Sequence, residues 1–147
     1  MRASTDTRPT VQAVVEGLGY NFDRFNIEDF QQHVAARRGR PLEIRYVPLA
    51  PELFGFWFPT EHTDFVAINA RLHPAHRIHT LLHELAHMLL GHRGTNLGEL
   101  LGDEIARKLN ISSGEGHLRS ALTIAEPDNF QEREAELFVM IIRRKLV

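Results

Sequence analysis

The chain has 147 residues, 43% hydrophobic and 24% charged, which is enough for one domain with a workable core and too little for two ordinary ones. Its 17 Lys and Arg against 19 Asp and Glu leave a net charge of −2, so no basic excess advertises direct nucleic-acid binding. Cysteine is absent, which removes disulfides, thiolate nucleophiles and thiolate ligands, and any transition metal must be held by histidine and carboxylate.

No apolar run reaches the roughly 18 residues that span a bilayer. The polar start, Met1-Arg2-Ala3-Ser4-Thr5-Asp6-Thr7, lacks the apolar stretch of a signal peptide, so the expected location is cytoplasmic. Residues 1–9 read as a flexible leader and 10–147 as a single domain. Val11, Val14, Val15 and Leu18 fall at helical spacing, with Thr10 as N-cap and Gly19 as stop. A second helix starts at an Asn26 cap, turns Ile27, Phe30 and Val34 inward and ends near Gly39, with Arg37-Arg38-Gly39-Arg40 as a solvated end. Leu42 to Val47 alternates as a strand closed by Pro48 and Pro51. Phe54 to Phe58 reads as a strand or a buried loop, its aromatics core rather than pocket lining. Asp64 to Asn69 is a third strand, with Phe65 and Ala67 on one face and Val66 and Ile68 on the other.

The segment from Pro74 to Leu90 carries the clearest helical pattern. Beyond it, Leu97, Leu100, Leu101 and Ile105 suggest one helix and Leu118, Leu122 and Ala125 another, with the Ser112 to Gly116 run as a loop between them. A last helix spans about Asp128 to Lys145, with Arg143, Arg144 and Lys145 at its negative dipole end. The expected architecture is α+β, a small mixed sheet against several helices.

Six of the nine histidines lie from His73 to His92, and two stand in His83-Glu84-Leu85-Ala86-His87. Residues four apart on a helix project from the same side, so His83 and His87 can grip one metal ion. Glu84 stands one step round, within reach of a water on that ion without coordinating it. With three protein ligands a zinc ion keeps one position open for such a water, and Glu84 can take its proton and return it to a departing amine. On a wheel of about 100° per residue with His83 at zero, His87 falls near 40° and Glu84 near 100°, while Ile78, Leu82, Leu85 and Leu89 centre near 220°. A core face and a ligand face are thus separated.

His92 is spaced wrongly for a third ligand of the metzincin type, which needs one further residue and a glycine where Leu90 stands, so its role is structural or substrate-contacting. The candidate third ligand is Glu132 on the last helix, with Glu134 in reserve. Glu136, one turn on, suits a hydrogen bond to a ligand histidine that fixes its tautomer. His79, one turn before His83, joins His92 and Asn69 as a candidate substrate or entrance contact. The strand from Asp64 to Asn69, just ahead of the site helix, is the one expected to pair with an extended substrate.

Ile68-Asn69, the run from His76 to His87 and the run from Glu132 to Phe138 together resemble the ImmA/IrrE metallopeptidase family. That family has a strand ending in Asn, a His-Glu-Leu-Gly-His helix and a downstream Glu-x-x-Ala-Asn-x-Phe helix. Ala86 here replaces the usual Gly and Glu136 the usual Asn, and the chain ends sooner after the ligand helix than many members do. The resemblance implies a zincin-like fold and a zinc-dependent endopeptidase, with one Zn2+ on His83, His87 and Glu132 and Glu84 as base. It also implies a protein substrate, a helix-turn-helix repressor of a mobile element or stress regulon. One competing reading is a non-catalytic binding module that keeps the fold and metal. Another is a three-histidine RNA-processing hydrolase, which would need a histidine where Arg93 stands.

Overall fold

Capping residues set the helix ends. In the computed structural model, which describes residues 8–51, 53–92 and 129–146, helix α1 covers Arg8–Gly17 and buries Val11 and Val15, with Leu18 just past its end. It begins two residues ahead of the expected Thr10 cap, and Gly19 follows it at φ 63°. A 3-10 turn at Phe22–Arg24 leads into α2, Ile27–Arg38. The Asn26 side chain accepts the Asp29 N–H at 3.1 Å, a cap worth about 1 kcal/mol. Gly39, at φ 71°, closes α2 by donating its N–H to the carbonyls of Ala35 and Ala36. The helices expected around 97–105 and 118–125 lie outside the described residues.

The basic cluster at the end of α2 is solvated only in part: Arg37 is exposed, but Arg38 and Arg40 turn to a buried carboxylate. Arg38 donates through Nε and Nη2 to the two oxygens of Asp64, Arg40 lies 3.4 Å from the same carboxylate, and Asp64 is wholly buried. Arg38 also donates to the Met88 carbonyl at 3.1 Å. A buried carboxylate needs such partners, and it draws the cations inward.

Strands β1 (Leu42–Val47), β2 (Gly55–Pro59) and β3 (Asp64–Asn69) form one mixed sheet in the order β1-β3-β2. β3 is parallel to β1, pairing Leu42 with Asp64, and antiparallel to β2, pairing Gly55 with Ile68. β3 therefore has a strand on each side, which corrects the expectation that it could pair with a substrate backbone. The β2–β3 connection is a tight turn in which the Thr60 N–H donates to the Thr63 carbonyl at 2.7 Å. Val66 and Ile68 enter the helical core, while Phe65 stacks with Phe58, and Phe58 with Phe56, on the opposite face.

Helix α3, Pro74–Leu89, packs on β2 and β3 and on helix α4, Asn129–Lys145. Gly55 permits the close seat of β2, because a Cβ there would stand 2.8 Å from both the Ala67 carbonyl oxygen and the Thr80 methyl. At the start of α3 the His73 ring accepts the Ala75 N–H, and Pro74 occupies the first turn, where no N–H is missed. Ile78, expected on the core face, is 46% exposed. The wheel treats α3 as evenly packed, whereas its neighbours enclose it only from Thr80 onward. Among the described residues no helix is long and apolar enough to cross a membrane.

Candidate metal centre

Two faces of packed helices converge on three donors. On α3, His83 and His87 stand one turn apart with their Nε2 atoms 3.1 Å from each other. From α4, Glu132 brings Oε2 to 3.0 Å from His83 Nε2 and Oε1 to 3.2 Å from His87 Nε2. Bonds of about 2.0 Å to a tetrahedral ion put neighbouring donors about 3.3 Å apart, so the cluster has the size of a metal's coordination edge. Two imidazole nitrogens and a carboxylate, all lone-pair donors, turn toward one point, which only a cation or shared protons can satisfy. His83, His87 and Glu132 fit a divalent metal. Neither alternative carboxylate does as well: Glu134 turns to His92, and Glu136 lies 3.6 Å from the Nδ1 of His83, the nitrogen turned away from the cluster.

The electrostatics agree with that chemistry. Burial pushes the Glu84 carboxyl up to about 7; the nearby His83 charge opposes the rise and the Glu132 carboxylate adds to it. Contacts with His83 and then His87 hold Glu132 well below the usual carboxylate range. Burial keeps His87 below the ordinary imidazole value, favouring the neutral form that binds metal. Burial also disfavours charge on His83, but the Glu132 hydrogen bond and the carboxylates of Glu84, Glu132 and Glu136 outweigh it, and its value is raised.

The sequence-derived contacts divide. His79 stays beside the cluster, its Nε2 3.3 Å from Glu136 and its Nδ1 3.2 Å from Arg143 Nη1. Asn69 is not an entrance contact. It is 1% exposed; its Oδ1 accepts from the N–H groups of Leu49 and Arg71, and its Nδ2 donates to the carbonyls of Leu49, Ala50 and Leu53. A strand-end amide facing a loop that returns past it takes up that loop's unpaired backbone groups. His92 is also buried rather than at an entrance, its Nδ1 2.8 Å from His87 Nδ1 and its Nε2 2.7 Å from Glu134 Oε1. Glu134 as the partner of His92 is the residue that sequence reasoning missed. The wheel of α4 sets it nearly opposite Glu132, and no spacing rule ties it to a histidine 42 positions away.

Residues 42–115 match the sequence profile of the IrrE N-terminal-like domain, a peptidase family. The match takes in the whole sheet and the His83 to His87 motif but stops short of α4, so Glu132 joins the site by geometry and by the motif resemblance of α4, not by this match. No curated protein and no solved structure matches the chain. The match covers half the chain and agrees with the motif resemblance: the chain belongs to the IrrE N-terminal-like peptidase family.

Proposed function

We propose that the chain is a zinc-dependent endopeptidase, one zincin-like domain over residues 10–147 in which His83, His87 and Glu132 hold the ion and Glu84 is the general base. One observation carries this reading: three donors 3.0–3.2 Å apart beside a buried carboxyl pushed up to about 7. A divalent ion bound there supplies polarisation of the scissile carbonyl and easier deprotonation of an attacking water. Glu84 then takes the proton on its carboxylate and passes it to the departing amine. A group that titrates near the working pH suits both transfers. Glu132 stays anionic and offsets part of the ion's charge. β2, an outer strand among the described residues and packed on α3, offers an edge along which an extended peptide can pair.

The substrate we propose is a helix-turn-helix repressor met in the cytoplasm, with derepressed transcription as the outcome; its support is the family resemblance. The test is Glu84→Gln in the purified chain, with a repressor encoded beside it as substrate. Stoichiometric zinc should remain while cleavage falls by about 10²–10⁴-fold. Unchanged cleavage in that variant would rule the mechanism out.

A further inference from the structure

His87 is held from behind by two buried groups that the proposed chemistry does not use. Its Nδ1 is 2.8 Å from Nδ1 of His92, whose Nε2 is 2.7 Å from Glu134 Oε1, and His92 and Glu134 are 6% and 9% exposed. Local sequence explains the placement. Gly91 adopts φ 74°, its N–H donates to the Met88 carbonyl, and the His92 N–H donates back to the His87 carbonyl at 2.9 Å. This is the paired closure of a glycine-terminated helix, and it swings His92 back beneath His87 rather than on round the wheel.

We propose that His92 and Glu134 are positioning residues that lock His87 in its metal-binding tautomer. The proton order follows from what each group can do. As a carboxylate, Glu134 only accepts, so His92 Nε2 must donate. With one hydrogen on its ring, placed at Nε2, His92 has a bare Nδ1 that can only accept, so in this arrangement His87 Nδ1 carries the hydrogen. That leaves His87 Nε2 with its lone pair directed at His83 and Glu132, where an ion is to be bound. Helix α4 thus supplies both ends of the arrangement, Glu132 in front of His87 and Glu134 behind it. The effect on affinity rests on the metal reading above. The placement of the hydrogens does not.

The experiment uses the full chain with 15N-labelled histidine, stripped of metal, and reads the imidazole nitrogen shifts. The expected result is an Nδ1–H tautomer at His87 and an Nε2–H tautomer at His92. A proton on His87 Nε2 overturns the proposal, whether or not the protein binds zinc. If the unsubstituted protein takes up no zinc, the metal reading fails, and these shifts still decide the hydrogen order. With zinc as the probe in a chelator competition, His92→Phe should weaken binding about 10–100-fold in protein whose circular dichroism is unchanged. His92→Gln can accept from His87 and donate to Glu134, so it should restore most of the loss. Equal weakening in both variants, or weakening in neither, also overturns the proposal.

Discussion

His83 and His87 are one helical turn apart, yet the two sides of the centre are built differently. On the His83 side the supporting groups are wet: the Glu132 and Glu136 side chains are 43% and 55% exposed, and Glu136 stands 3.6 Å from His83. On the His87 side they are enclosed, with His92 and Glu134 at short hydrogen-bond distances and Arg38 tying the end of α3 to Asp64. The difference separates two tasks. On the proposed reading, the enclosed side would hold the ligand geometry and the open side would admit a peptide to the ion.

The largest effect is expected from the deepest member of the enclosed side. Asp64→Asn removes the charge that two arginines share, leaving Arg38 without its ion partner next to the Met88 carbonyl. Both arginines keep some solvent, so the loss should be about 3 kcal/mol in urea unfolding, at the low end for a broken buried pair. A stability within error of the unsubstituted chain would show that this pin does not hold α3. The contrast between the two sides is then sharpened by a matched pair. Glu134→Ala strands a buried His92 N–H and should cost about 2 kcal/mol. Glu136→Ala, at an exposed position, should stay within about 0.5 kcal/mol. Equal losses would erase the distinction.

Much of this arrangement is legible in the residues because the governing interactions are local. The four-residue spacing of His83 and His87 is a helical rule, and so are the Asn26 cap, the Gly39 stop and the Glu132–Glu136 interval on α4. β1 and β3 follow from alternation and turn residues, the aromatic run of β2 reads equally as a buried loop, and the order of the three does not follow. Nothing within Asp64 to Asn69 says that it lies between the other two, since strand order depends on long-range pairing. Asn69 and Arg38 mislead for the same reason. Each reads as a terminus residue facing solvent, and each turns instead to a partner that a different stretch of chain delivers. For His92 the structural role is legible from its spacing but its partners are not, because Gly91 at positive φ turns the chain out of helical register before it.

The smallest predicted effect makes the finest comparison. Gly91 and Gly39 both follow a helix at nearly the same φ, 74° and 71°, and among the described residues a Cβ at either would meet nothing within 4 Å. Replacing either with alanine therefore adds backbone strain alone, about 1 kcal/mol, and thermal unfolding should move by similar amounts in the two variants. Only Gly91 sets the turn that brings His92 to His87, so only Gly91→Ala should also weaken zinc binding. Strain at Gly39 falls at the end of α2, which contributes no donor to the cluster. If both variants lost the same affinity, general loosening of the fold would account for it, and the turn after α3 would have no special hold on the centre.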